Sequence, residues 1–239
     1  MSSSDPKILE LVVVRHGQSI RNYASKLAHE GNFSLLEQQL AQDDYEPAWS
    51  LTETGIIQAN KTGDWIRKEF ASEPDLILAS PYRRTLQTAK ALGLKRYFSQ
   101  DWRLRERRWG DYDGATPPYT AKLYLDDLAH AGERDWKTGF PGGESVLDLI
   151  PQVQRFTVEK LRHMEGKTIV LVTHGGAMKA LQNVLEGTIA DPHQTSVPNA
   201  SVLHFKIKKI REDGMATGDY ELICPWKPED GNETWQHFG

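Results

Sequence analysis

An α/β fold, built as a three-layer α/β/α sandwich around a mostly parallel central sheet, is predicted by three features of this 239-residue sequence. Short β-branched apolar runs recur along the chain, as in strands buried on both faces. Each is followed by a segment of helical character. No Pro/Gly/Ser-rich linker and no internal repeat divides the chain, so residues 1–239 read as one domain.

The elements follow in order. Ile8 to Val14 (ILELVVV) is the first strand. After Thr52, residues Ile56, Ala59, Gly63, Ile66 and Phe70 recur at spacings of three and four and share one face of an amphipathic helix. Leu76 to Ala79 (LILA) is a second strand, and Ser80-Pro81 reads as N-cap and first helical position of a helix over Tyr82 to Leu92 that Gly93 stops. Glu144 to Met164 has helical spacing in Val146, Ile150, Val153 and Leu161, with Pro151 expected to kink or delay it. Thr168 to Thr173 (TIVLVT) is a third buried strand, Ala177 to Glu186 a helix closed by Gly187, and Ser201 to Lys208 a late alternating strand. The weakly periodic stretches left over, about 23–50 and about 113–143, read as a cap insertion and a second excursion over a site.

Composition limits the function classes. Lys plus Arg is 29 against 33 for Asp plus Glu, a net charge of −4. That balance does not favour nucleic acid or anionic lipid as partners. Cys224 is the single cysteine, which excludes an intrachain disulfide and suits a reducing compartment. The first residues carry no apolar leader and no apolar run approaches a membrane span, so a cytoplasmic location is expected. The histidines have no ligand spacing such as His-Glu-x-x-His, and no metal site is expected. Gly166-Lys167-Thr168 does not complete a P-loop, because Leu161 stands where its first glycine belongs.

Chemistry gathers where the strands end. Arg15-His16-Gly17 follows the first strand and His174-Gly175-Gly176 follows the third, and ligands of open α/β sheets bind outside carboxyl ends of strands. Helix N-terminal amides there form an anion site. Imidazole is a nucleophile only while neutral, and Arg15 disfavours the imidazolium of His16 by like charge. The same guanidinium can grip two phosphoryl oxygens. Ser80 to Ala89 puts Arg83 and Arg84 in the first turn of a helix at the same edge, and Glu106 is a carboxylate able to act as general acid and then base.

Six motifs in this order resemble the histidine phosphatase superfamily, which includes the phosphoglycerate mutases. They are Arg15-His16-Gly17 with Asn22, Leu51-Thr52 to Gly55 with Gln58-Ala59, Ser80 to Ala89, Leu104 to Gly110, Gly142 to Ser145, and Thr173 to Gly176. The resemblance spans residues 8 to about 205 and implies a phosphoglycerate mutase-like fold. It also implies roles: His16 as the nucleophile that becomes phosphohistidine, His174 as its assistant, Arg15 and Arg84 as the phosphoryl clamp, and Glu106 as proton donor. Asn22 matches the position supporting the phosphate, and Gly17, Ser19 and Gly175 stand beside it as further candidate substrate contacts. Arg21 and Arg83 read as solvated or paired.

Glycolytic mutases of the family carry an Arg-Arg-Ser-Tyr-Asp-like run after the glutamate; here Asp113 to Pro118 stands instead. A phosphatase acting on a small phosphorylated metabolite, without metal or cofactor, is therefore favoured. A cofactor-dependent phosphoglycerate mutase is the alternative, and a non-catalytic phospho-ligand or protein-binding relative is the alternative of another class.

Overall fold

The computed structural model describes residues 7–35, 48–110, 136–188 and 197–223. Cys224, Asp113, residues 36–47 of the first expected excursion and 113–135 of the second lie outside them. The described elements are β1 (Leu9–Arg15), α1 (Ile20–His29), α2 (Glu53–Glu69), β2 (Leu76–Ala79), α3 (Arg83–Ala91) and β3 (Ser99–Gln100), then α4 (Val146–Phe156), β4 (Thr168–Thr173), α5 (Gly175–Glu186), β5 (Val202–Ile210) and β6 (Ala216–Ile223). A 3₁₀ turn, Trp102–Leu104, follows β3, and a π turn, Thr157–Leu161, continues α4.

The strands lie in one sheet of order β3-β2-β4-β1-β5-β6. The first four in that order run parallel, and β5 returns antiparallel to β1. Both sheet faces are covered, which explains the unbroken apolar runs. Leu9, Leu11 and Val13 of β1 pack with Leu149, Phe156, Met178 and Leu181 of α4 and α5, while Val12 and Val14 pack with Ile66, Ala89 and Leu92 of α2 and α3. Period two in the strand thus feeds two cores, as a three-layer sandwich requires.

Local chemistry departs from the sequence expectations at several elements. Ile56 is exposed, whereas Ala59, Gly63 and Ile66 of the expected face are buried together with Gly55, Gln58 and Thr62. Small and polar residues face inward there because backbones approach closely: a Cβ on Gly63 would lie 1.9 Å from the Leu92 carbonyl oxygen. Ser80 does not cap α3. Tyr82 holds the cap position without a side-chain bond, and the Ser80 hydroxyl turns to another partner. The α4 helix starts at Val146 under a capping box of Ser145 and Asp148 and runs through Pro151. The proline removes one backbone donor without ending the helix. Residues 23–50 are not aperiodic throughout, since α1 extends to His29 under a second capping box of Ser19 and Asn22. The edge strands β3 and β6 are additions that sequence pattern had not marked. Among the described residues, no helix is long and apolar enough to cross a membrane.

Candidate active site

Parallel pairing delivers the candidate residues to one sheet edge. Arg15 is in register with Thr173, and Ala79 with Val172. The ladder continues one residue further, with His16 N–H donating to the Thr173 carbonyl at 2.9 Å and Ser80 N–H to the Val172 carbonyl at 2.9 Å. His16, Ser80 and His174 therefore leave three neighbouring strands side by side.

His16 is 4% exposed and its ring Nδ1 donates to the Gly17 carbonyl at 2.8 Å. A carbonyl only accepts, so the proton of the neutral ring is on Nδ1 and Nε2 carries the lone pair. Burial, then the like charges of Arg84 and Arg15, hold the His16 pKa well below 6.5, against the opposing pull of the Gly17 bond. His174 stands edge-on to His16 with centroids 5.2 Å apart, and its Nε2 lies 2.8 Å from Ser80 Oγ. Its pKa is likewise held well below 6.5 by burial, then by Arg84, His16 and Arg15.

Two buried guanidiniums share the pocket. Arg15 donates to the Val197 carbonyl, and Arg84, in the first turn of α3, lies 4.9 Å from the Tyr82 ring. Burial lowers the Arg15 pKa to about 10, with Glu106 opposing and Arg84 adding to the shift; Arg15 stays charged at neutral pH. Glu106 is buried, its Oε1 accepting from Arg107 N–H at 3.0 Å and its Oε2 from Gly176 N–H at 3.2 Å. Arg15, His16, Arg84, Glu106 and His174 thus lie together at this sheet edge.

The remaining candidates divide. Asn22 Oδ1 accepts from Ser19 N–H and Oγ–H at 3.0 and 2.9 Å and from Asn199 Nδ2 at 3.3 Å, which leaves the Asn22 amide nitrogen for other partners. The Ser19 hydroxyl is committed to that cap, and the Gly17 N–H to Thr88 Oγ1 at 3.0 Å. Gly17 is instead needed for close approach, because its Cβ would meet the Gly55 carbonyl oxygen at 2.2 Å. Gly175 opens α5 against Arg15, where a Cβ would sit in ordinary contact, 3.7 Å from Arg15 Nε. Among the described residues, no group of three or more His, Cys, Asp or Glu is placed to hold a metal ion.

Some site neighbours were not read from sequence. Arg105 grips Glu144 with two bonds of 2.6 and 2.7 Å and donates to the Glu106 carbonyl at 2.9 Å. The Trp109 ring stacks on Phe140 at 5.0 Å, with Arg107 4.2 Å from its centre. Arg21 lies between Trp49 and Trp109, at 5.8 and 5.6 Å, rather than in bulk water. The Gly-Gly-Glu-Ser signature had marked Glu144 without its partner, which lies 39 positions away.

Residues 11–214 match the model of the histidine phosphatase superfamily (branch 1). The chain belongs to that superfamily. An acid phosphatase of Mycobacterium tuberculosis is 28% identical over 186 residues, covering 77% of this chain and 86% of that protein. A glucosyl-3-phosphoglycerate phosphatase of Mycolicibacterium vanbaalenii is 30% identical over 198 residues, covering 77% of each chain. A 2,3-bisphosphoglycerate-dependent phosphoglycerate mutase of Methylorubrum extorquens is 27% identical, covering 74% of this chain and 79% of that one. The solved mycobacterial glucosyl-3-phosphoglycerate phosphatase complexed with VO3 superposes with a TM-score of 0.63 at 26% identity, covering 90% of this chain and 97% of that one. The superfamily and its phosphatase-named members support a phosphatase or phosphoryl-transfer enzyme.

Proposed function

We propose that this chain hydrolyses the phosphomonoester of a small metabolite in two steps, through a phosphohistidine at His16 and without a metal. The carrying observation is the His16 Nδ1 bond to the Gly17 carbonyl, which leaves the Nε2 lone pair available in a pocket holding Arg15, Arg84 and His174. His16 Nε2 attacks phosphorus in line, the N–P bond forms, and the ester P–O bond breaks. Arg15, Arg84 and His174 hold the equatorial oxygens, supplying the charge stabilisation that phosphoryl transfer demands. Glu106 gives its proton to the departing alkoxide. Each of its oxygens accepts one backbone amide and keeps a second lone pair for that proton. Water then attacks phosphohistidine, its proton passes to Glu106, and phosphate and free His16 are released.

Rapid quench with radiolabelled p-nitrophenyl phosphate tests the intermediate. An acid-labile, base-stable label should form on the wild type and vanish in His16→Ala, with the rate indifferent to chelator. A label stable to acid would overturn the assignment. The mutase-named relatives keep a second reading in view, in which phosphoglycerate isomerisation, stimulated by bisphosphoglycerate, outruns phosphate release. The absence of an Arg-Arg-Ser-Tyr-Asp-like run after Glu106 favours hydrolysis over it.

A further inference from the structure

We infer that Ser80 is a positioning residue which sets the tautomer of His174: its hydroxyl donates to Nε2, so that the ring proton stays on Nδ1 and points a donor at the phosphoryl group. The inference rests on the hydrolytic reading above for the identity of that group. Ser80 is fully buried, and the bond from its Oγ to His174 Nε2 measures 2.8 Å. Its backbone is fixed on both sides, its N–H by the Val172 carbonyl at 2.9 Å and its own carbonyl by the Thr85 hydroxyl at 2.8 Å. The hydroxyl is therefore held against the ring and is not spent on capping α3.

A hydroxyl can donate or accept, so the other ring nitrogen decides the direction. His174 Nδ1 is buried and meets no hydrogen-bond partner among the described residues. Its ring stands beside His16, within the influence of Arg84 and Arg15, and edge-on to Tyr82 at 4.9 Å. An orphaned buried polar atom is costly and calls for a partner that arrives with the ligand. Phosphoryl oxygens only accept. Nδ1–H satisfies them, whereas a lone pair on Nδ1 would repel them, and a neutral imidazole with its proton on Nδ1 must accept at Nε2. Ser80 is the donor in place there. Both histidines thus carry their proton on Nδ1 and use it oppositely: His16 parks it on Gly17 and attacks with Nε2, while His174 directs it at substrate.

Long-range proton–nitrogen spectra of the full chain with labelled histidine test this, with His174 signals assigned by a His174→Gln variant. The wild type should show a neutral His174 protonated on Nδ1, and Ser80→Ala should move the proton toward Nε2. With p-nitrophenyl phosphate, Ser80→Ala should lose about 10- to 100-fold in single-turnover phosphorylation, less than the loss of a direct oxyanion donor. Ser80→Thr, which keeps the hydroxyl, should restore both spectrum and rate. A wild-type His174 protonated on Nε2 overturns the inference, as does Ser80→Ala with spectrum and rate unchanged. So does Ser80→Thr that recovers the tautomer and none of the rate. A wild type with the Nδ1 proton that releases no phosphate from any ester overturns the hydrolytic reading and leaves the tautomer assignment standing.

Discussion

Glu106 and Gly176 are joined by a 3.2 Å bond from the Gly176 amide to Glu106 Oε2, and a Cβ on Gly176 would lie 2.4 Å from Glu106 Oε1. The proposed acid is thereby seated against the first turn of the helix that follows His174, close enough that only glycine fits. Gly176→Ala should fold, because the obstacle is the end of a side chain, yet it must push the carboxyl aside. General acid catalysis contributes about 10²–10⁴-fold, and its share is larger for a basic alkoxide than for p-nitrophenolate. Single-turnover phosphorylation should therefore fall far more with an alkyl phosphate than with p-nitrophenyl phosphate, in Gly176→Ala and in Glu106→Gln alike. Equal losses on both leaving groups in Glu106→Gln would assign the carboxylate to positioning instead.

Gly17 and Gly55 present a stricter contact, because backbone meets backbone. A Cβ on Gly17 would lie 2.2 Å from the Gly55 carbonyl oxygen, and one on Gly55 would lie 2.1 Å from the Gln18 carbonyl oxygen. Overpacking of this kind costs about 1–3 kcal/mol or more, so Gly17→Ala and Gly55→Ala should each lower the urea midpoint visibly. The double variant should lose less than the two single losses added, since either Cβ already forces the same two backbones apart. A Gly17→Ala protein of wild-type stability would mean that the nucleophile's loop moves freely against α2.

What could be read in advance follows from how local each signal is. The runs ILELVVV, LILA and TIVLVT announce themselves because β1, β2 and β4 are buried on both faces, and His16 and His174 were legible as residues just past strand ends. Features fixed by distant partners were not. Ser80 before Pro81 has the chemistry of a helix cap, and only the neighbouring strand, which brings His174 to 2.8 Å, diverts it. Likewise Ile56 fits the apolar stripe of Ala59, Gly63 and Ile66, but the first turn of α2 packs through Gly55 against Gln18, so that Ile56 alone of these four faces water. The β6 strand, ATGDYELI, lacks a continuous apolar face, being an edge strand paired on one side with β5. Trp49 and Trp109 converge on Arg21 from segments far apart in sequence, which no period could reveal.

Glu144 links the Glu106 segment to the start of α4, and its titration should mark acid stability. Burial raises its pKa, but the two Arg105 bonds, the Arg108 amide and both guanidinium charges outweigh burial, and the net shift is downward. A carboxylate with a depressed folded pKa contributes stability above its unfolded pKa of about 4.3 and loses it as pH falls through the folded value. Glu144→Gln should cost about 1–3 kcal/mol at neutral pH, the range for leaving a largely buried hydrogen-bonding partner unsatisfied, and should flatten the decline of urea midpoint below roughly pH 4.5. An unchanged acid slope would remove Glu144 from that account.

The pocket that keeps His16 neutral should separate the acid limits of stability and of catalysis. Burial first, then Arg84 and Arg15, hold its pKa well below 6.5 while the Gly17 bond opposes them. In the unfolded chain the same ring titrates near about 6.5, so below that pH the unfolded state binds a proton that the folded state refuses. The stability attached to His16 is thus fully present above pH 6.5 and is lost as pH falls toward the folded value. His16→Gln, which cannot titrate, should lose stability less steeply on the same descent. Catalysis should behave differently, because the folded ring remains an unprotonated nucleophile across that window. The second ionisation of a phosphomonoester lies near about pH 6 and will itself bend a rate profile, so the ring should be followed directly by nitrogen NMR. In the wild type, His16 should keep its Nδ1 proton and bare Nε2 well below pH 6.5; in Arg84→Gln, with one like charge removed and burial retained, its pKa should rise only part of the way back. A wild-type His16 that titrates at or above its ordinary value would deny the pocket this role, and the rate would then fall with the imidazole rather than with the substrate.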